Sequence, residues 1–585
     1  MRTTAEVIAD APASWLRDVE GASLSALLAR CGQEMSDRLA VTHLDYGESP
    51  EGLAVSLTWA ELDRRASAVA GALQRLSSAE DRVAVLVPQR VDYLVAFLGA
   101  CRAGMVAVPL FAPDLPGHAD RLAGVLADCE PSVVLTVADK LDPVRDFLRE
   151  RELDGPQVVA VDEVPESAAD DWEPVEQGPG ELAYLQYTSG STKAPTGVMI
   201  THGNVVANAA QAMSAYEAVA GRTPTVSWLP LFHDMGLMLA LAAPLVAGTR
   251  SVLIDPVAFI ERPVRWLQAL SANPGAISAA PNFAYAYCAA RVEDTDKVRL
   301  RLDHVRALID GSEPVQAGAI DRFHGAFAEC GLKARVHRSS YGLAEATVLV
   351  SASPAGAAPR RVHLDRERLA AGRAVLATGE DVSTLVSCGL PVDQLVRIVD
   401  QHTEQELPQD QVGEIWVRGA NVGRGYWRRQ EESACTFVPA ADGAGHWLRT
   451  GDLGVIHEDE LYVTGRIKDL IIVDGRNHYP QDVEETVEQA HPAVRRHSAA
   501  AFAVPTDDGE SAVVAVERAS RLAEHEVDLD ALRQAVRSAV TGRHGLNVRE
   551  LVVLDPGEVP RTSSGKISRS AARKHYLTGT LRGSS

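Results

Sequence analysis

The chain has 585 residues, and its 57 Lys plus Arg against 79 Asp plus Glu leave a formal charge of −22. A composition of 46% apolar and 23% charged residues is that of an ordinary globular protein with a large core, which excludes a disordered or fibrous chain. So acidic a balance argues against a general nucleic-acid binder, which needs a basic face, and the length gives roughly four domains, or fewer around one large enzyme body.

Near the start, Glu6 and Asp10 fall where a signal peptide needs an apolar core. Residues 57–76 and 92–104 carry apolar side chains at helical spacing. Short Val- and Leu-rich runs at 82–89, 105–110, 132–137 and 157–162 predict strands between them. Such near-continuous apolar strands alternating with helices predict a parallel sheet covered on both faces. Residues 166–181 are acidic with Pro and Gly and read as a surface loop. The middle repeats the α/β pattern, with strands at 225–231, 250–256 and 305–311. Its longest apolar run, Gly236 to Gly248, is shorter than the ~20 residues of a bilayer span and reads as a buried helix. Beyond about residue 385, closely spaced strands at 395–400, 413–419 and 460–466 predict a small β-rich subdomain. A compact α+β unit follows, with strands at 471–475, 498–505, 511–517 and 550–554 and helices at 481–490 and 528–542. The seven cysteines include no C-x-x-C pair, so reduced, buried thiols are expected and no zinc site is readable. The whole reads as a soluble cytoplasmic protein.

The strongest local signal is YLQYTSGSTKAPTGVMITHGN, residues 184–204. A strand ends at Tyr187, and Thr188, Ser189, Gly190, Ser191 and Thr192 follow. Small residues let backbone N–H groups approach a polyphosphate, and the hydroxyls add donors. No G-K-[ST] closes the loop, so it is not a Walker A motif, and no Rossmann fingerprint occurs. Alone, a Ser/Gly loop is more often a plain turn. Four further segments stand downstream in order: SSYGLAEAT (339–347), RTGDLG (449–454), GRIKDLIIVDGRNHYPQDVE (465–484) and PRTSSGKISR (560–569).

Together these five segments, spread over about residues 25–575, resemble the adenylate-forming superfamily. The variants WLPLFHDMGLM (228–238), APNFAYAYC (280–288), YGLAEAT and GRNHYPQDVE resemble its fatty acyl-AMP ligases most. The resemblance implies a large α/β N-terminal domain over residues 1–465, built of two parallel-type subdomains and a β-rich one. A hinge at 466–470 and a small mobile α+β domain over 471–585 follow. Residues 351–384 stand where these ligases carry an insertion.

The implied reaction is attack of a carboxylate on the α-phosphate of ATP, which asks the protein for positioning and charge stabilisation. Thr188–Thr192, with Lys193, would hold the β- and γ-phosphates, and Glu345 would help hold Mg2+, a hard ion that takes oxygen ligands. Tyr341, between Ser340 and Gly342, would stack on adenine, with the backbone of Gly311, Ser312 and Glu313 on the other face. Asp452 would accept from the ribose hydroxyls, and Arg466 would contact the ribose. Lys566 is the candidate catalytic lysine, and Lys468 the hinge residue. His233 would position the acyl carboxylate rather than act in acid–base chemistry. Trp228, Met235, Gly236, Met238, Asn282 and Phe283 are candidates for an acyl pocket, or for plain core. One departure stands out: the family's phosphate loop has Lys before its last Gly, where this chain has Thr196.

The resemblance implies a fatty acid as substrate, ATP and Mg2+, and an acyl carrier protein whose phosphopantetheine thiol receives the acyl group. An acyl-CoA synthetase and a catalytically silent nucleotide- or acyl-binding paralogue remain as alternatives. Residues 561–585 hold six basic residues and no acid, so the C-terminal domain is where an acidic carrier would dock.

Overall fold

Short strands of Val, Ala and Leu, each walled by helices, build two parallel-type sheets in this computed structural model. It describes residues 19, 21–115, 117–153, 155–188, 195–379, 381–443, 445–473, 476–506, 509–520, 522–562 and 565–581. Residues 157–160, 133–136, 82–85, 106–109 and 182–187 run parallel in that order, and 197–201 closes the sheet antiparallel. The second sheet has nine strands. Its centre, 337–342, 307–311, 277–281, 225–227, 251–254 and 39–45, is parallel, and antiparallel strands finish both edges.

Helices cover both sheets. Trp59–Gln74 starts at a capping box between Thr58 and Glu61, which satisfies backbone donors at its first turn. Residues 166–181 are not all loop. Glu166–Asp171 forms a 3₁₀ helix that docks on this helix, and a Cβ at Gly71 would lie 2.2 Å from the Ala168 carbonyl. Trp172 then packs its ring under Arg102, 4.2 Å from guanidinium carbon to ring centroid.

The apolar run 236–248 is buried and helical, with a wide turn in it. Asp234–Leu237 is α-helical, Met238–Ala242 is a π turn closed by Ala243 N–H to the Met238 carbonyl, and Ala243–Ala247 resumes the α-helix. Pro244 explains the turn: it has no N–H to give the Ala240 carbonyl, and its ring would crowd that carbonyl in a regular helix.

The β-rich part is a five-stranded antiparallel sheet of residues 395–399, 413–418, 437–439, 446–457 and 460–466. From Ile471 a hairpin leads into a three-stranded sheet, 494–506, 509–518 and 548–554, packed by helices 480–490, 529–544 and 569–577. Strands 361–365 and 382–386 form a small sheet of their own. Arg366 and Ser383 from this segment both reach the Asp482 carboxylate, at 3.1 and 2.7 Å, so it grips the C-terminal unit directly. Six cysteines are buried and Cys435 is exposed, all as free thiols. Among the described residues no helix is long and apolar enough to cross a membrane.

Candidate active site

Parallel strands deliver their carboxyl ends, and the loops after them, to one edge of a sheet, where open α/β sheets bind ligands. Here strands 277–281, 307–311 and 337–342 are neighbours, so Asn282, Ser312 and Leu343 leave the sheet side by side. Strand 225–227 brings the His233 segment to the same edge. The other sheet contributes Tyr187 and Thr188, and Gln186 bonds the Phe232 carbonyl across the gap at 3.0 Å.

Close packing fixes the 337–342 strand end. A Cβ at Gly342 would meet the Val348 carbonyl at 1.7 Å, so only glycine lets the chain fold back there. Between them the turn Ala344–Ala346 raises Glu345 into the crevice. The turn ends at Thr347, whose φ of 64° and ψ of −63° are costly for a β-branched residue. The Thr347 hydroxyl holds it there by bonding the Asn421 carbonyl at 2.7 Å.

Two carboxylates face the crevice from this side. Asp452, only 4% exposed, takes the Tyr341 hydroxyl at 2.8 Å on one oxygen and Arg466 Nε at 2.8 Å on the other. This ion pair holds the Arg466 guanidinium above its usual range. Glu345 accepts from the Tyr426 hydroxyl at 2.9 Å. Burial raises the Glu345 carboxyl above its ordinary value, although its own backbone N–H, Tyr426 and Arg466 pull the other way.

Lys566 stands opposite. Its loop is closed by the Thr562 N–H to the Lys566 carbonyl, 2.8 Å, and the neighbouring Gly565 comes against the Phe283 ring. Burial lowers the Lys566 ammonium below its ordinary value, while Asp234 and Glu313 act to raise it. His233 Nδ1 lies 2.7 Å from Asp234. Burial would raise Asp234, but His233 and Lys566 outweigh it and hold the carboxyl low. Glu313 accepts from the Phe283 N–H at 2.6 Å, capping the exposed donors of helix Asn282–Arg291. Beneath them Asp310, fully buried, ties Asn282 at 2.7 Å to His337 at 3.0 Å.

A cavity lined mainly by apolar side chains runs inward from these groups. Asp234, Met235, Ser312, Ser340, Tyr341 and Gly342 line its mouth, and Met238, Leu239, Ala243 and Ala247 one wall. It runs back along the strands to Thr225, Ile277 and Thr249 at their amino-terminal ends. Four residues suggested as pocket walls lie outside this lining. Trp228 stacks on Phe259 at 3.8 Å, in core. Gly236 packs against the Pro230 carbonyl, 2.1 Å from where a Cβ would be. Asn282 and Phe283 serve the helix start described above.

The crevice thus gathers Glu345, Tyr341, Asp452, Arg466, His233, Asp234, Glu313 and Lys566. Gly311 ends its strand there with no room for a Cβ beside Ser340 Oγ. Lys468 is exposed in the 3₁₀ turn Ile467–Asp469, at the entry to the C-terminal unit. Thr188 is at the crevice, while Ser189, Gly190, Ser191, Thr192 and Lys193 lie outside the described residues. Sequence reading missed Tyr426 and Asp310; only Tyr426 had a local cue, the aromatic pair in GRGYW. Among the described residues no three His, Cys, Asp or Glu side chains gather as a metal cluster. Glu345 fits a different demand: one hard carboxylate at a crevice mouth suits an ion that takes its other ligands from phosphates and water.

An apolar cavity with a carboxylate–arginine pair on one side and a lysine on the other is the layout of an enzyme that joins an acid to a nucleotide. Comparison with known proteins agrees. Residues 28–427 match the AMP-binding enzyme family, and residues 468–585 the AMP domain of Disco-interacting protein 2-like proteins. Long-chain-fatty-acid–AMP ligase FadD32 of Mycolicibacterium smegmatis is 42% identical over 605 residues, covering 96% of this chain and 95% of its own. A 4-hydroxyphenylalkanoate adenylyltransferase of Mycobacterium tuberculosis is 42% identical, covering 95% and 92%. Among solved structures, a fatty acid AMP ligase from Legionella pneumophila is 33% identical, with a TM-score of 0.75 over 97% of this chain and 98% of its own. The chain therefore belongs to the AMP-binding enzyme family, as an AMP-forming ligase of its fatty acyl-AMP ligase branch.

Proposed function

We propose that this ligase activates a fatty acid as acyl-AMP and passes the acyl group to the phosphopantetheine thiol of an acyl carrier protein. The carboxylate oxygen attacks the α-phosphorus, and pyrophosphate leaves. The observation that carries the first step is Lys566, held near Glu313 and near Asp234, which itself lines the apolar cavity. A cation there offsets the negative charge that gathers on the carboxylate and α-phosphate in the transition state. Tyr341 and the Gly311–Glu313 backbone flank adenine. Asp452 receives the ribose hydroxyls, and Arg466, with its side chain 66% exposed, is the partner able to shift for them. His233 and Asp234 orient the acyl carboxylate. Glu345 holds Mg2+, which neutralises phosphate charge when bound. The cavity between Met235 and Thr249 takes the acyl chain.

Carrier transfer is supported by the relatives' names, which join a fatty acid to AMP and so give an activated acyl anhydride, and by the basic C-terminal segment, which suits an acidic partner. Rotation of the unit beyond Lys468 would then present a different face for the second step. A cytoplasmic setting fits both steps.

The test supplies ATP, Mg2+ and a panel of fatty and aryl-alkanoic acids, then either CoA or a holo carrier protein. Acid-dependent pyrophosphate release followed by carrier acylation is expected. Efficient acyl-CoA formation would make the protein an acyl-CoA synthetase, and no release with any acid would make it a silent paralogue. Preference for aryl-alkanoic acids would align it with the adenylyltransferase relative. Lys566→Ala should abolish adenylate formation; retained activity refutes its role.

A further inference from the structure

Asp452 stands in an antiparallel strand pair whose two chains do not keep step. Between 413–418 and 446–457, Glu414 faces Leu453 and Trp416 faces Arg449. Ile415 alone therefore stands opposite Thr450, Gly451 and Asp452, a bulge of two extra residues. A bulge takes backbone groups out of the ladder, and buried N–H and C=O groups still need partners. Side chains supply them here. The Thr450 hydroxyl donates to the Ile415 carbonyl at 2.7 Å and accepts the Asp452 N–H at 3.1 Å. One Glu414 oxygen accepts the Gly451 N–H at 3.1 Å, at a glycine whose φ of 70° is left-handed. The other takes the Trp416 indole N–H at 2.9 Å, with Arg449 Nε 3.4 Å away. Glu414 is 4% exposed, so its carboxylate is engaged within the sheet and not in the crevice.

We propose that Glu414 is a positioning residue for Asp452, pinning through Gly451 the bulge that aims the Asp452 carboxylate into the crevice. Tyr341 and Arg466 hold the two carboxylate oxygens, but both reach in as side chains from other strands. The distance of Asp452 from a nucleotide is set by its own backbone. On one side that backbone is held by Thr450 and, through Gly451, by Glu414. On the other it pairs with Arg466, the last residue of its strand, so the ladder there ends at the same point. An ionised carboxylate is a stronger acceptor for the Gly451 N–H than a neutral amide oxygen. Weakening that bond lets the bulge shift, and a misplacement of about 1 Å is enough to lose up to ~100-fold at a positioned contact. The proposal rests on the reading that Asp452 receives the ribose hydroxyls, and names the residue that makes this contact selective.

The test compares the full-length protein with Glu414→Gln, and with Asp452→Asn as the reference for losing the carboxylate itself. Calorimetry gives Kd for MgATP and for its 2′-deoxy and 3′-deoxy analogues. An unfolded fraction lowers the stoichiometry and leaves the ratio of Kd values unchanged, so the ratio reports placement and not folding. Wild type should bind at least one deoxy analogue about tenfold more weakly than ATP, the loss of one hydrogen bond to a carboxylate. Glu414→Gln should weaken ATP and leave that analogue unchanged, bringing the ratio to within about threefold, as in Asp452→Asn. In acid-dependent ATP–pyrophosphate exchange, KM for ATP should rise while kcat and KM for the fatty acid hold. A wild-type ratio in Glu414→Gln overturns the proposal, and so does an equal loss for ATP and the analogue. A wild type that does not distinguish ATP from either analogue overturns the ribose reading, and the role of Glu414 with it.

Discussion

Replacing Tyr426 by Phe removes one hydroxyl and keeps the ring, which stands edge-on to Phe437 at 5.4 Å. What is lost is the 2.9 Å bond to Glu345. A hydrogen bond to an ionised group contributes about 1.5–3 kcal/mol, which is roughly tenfold to a hundredfold in the ratio of ionised to protonated Glu345. Burial already raises this carboxyl, and Tyr426 is among the groups holding it down. Without the phenol it rises further, so the ionised form that the proposed Mg2+ role requires is lost first on the acidic side. The assay is acid-dependent pyrophosphate release against pH at saturating ATP. The variant should show its acidic limb displaced upward, with the alkaline plateau nearly preserved. A uniform loss at every pH, or an unmoved acidic limb, would refute the claim that Tyr426 works by keeping Glu345 charged.

Other outcomes follow from the same structure. Gly342→Ala forces a Cβ onto the Val348 carbonyl, and such overpacking costs about 1–3 kcal/mol or more, so thermal unfolding should fall along with activity. Met238→Trp narrows the cavity wall and should abolish turnover of long acids while short ones still react; equal loss for both would place the chain elsewhere. Burial pushes Glu488 up to about 7, so the folded state binds its proton more tightly than the unfolded chain does. Its contribution is full at low pH and fades as pH rises through 7, and Glu488→Gln should flatten the denaturant midpoint across that window. Arg573→Gln with Lys574→Gln should slow carrier acylation more than adenylation, and an equal effect on both steps would count against docking there.

The sequence carried the strand–helix alternation because buried parallel strands leave a near-continuous apolar signature, as at 82–85 and 133–136. It singled out Tyr341, Glu345, Asp452 and Lys566 as candidates because each stands in a segment with a recognisable order of neighbours, and the fold brings them to one crevice. It did not carry Asp310, which ties Asn282 to His337 only because strands 277–281, 307–311 and 337–342 are neighbours in the sheet. Nor did it separate Met235 and Met238, which line the cavity, from Trp228, which fills core. An apolar side chain beside a cavity and one inside a core have the same chemistry, and only the neighbours differ. The 3₁₀ helix at 166–171 was equally hidden, since its acidic residues suggest solvent while Gly71 quietly makes room for its backbone.

The π turn at Met238–Ala242 has a consequence for how acyl selectivity can change. A π turn is an α-helix with one residue too many, and each residue of an α-helix advances about 100° around its axis. The extra residue is absorbed within the turn, so the helix on either side keeps its facing, and Ala243 and Ala247 line the cavity beside Met238 and Leu239. Point substitutions enlarge or shrink that wall, whereas losing the extra residue tightens the turn against the Pro244 ring and reshapes the wall as a whole. Closely related chains could therefore differ in preferred acid through the length of this segment while keeping every residue of the nucleotide site.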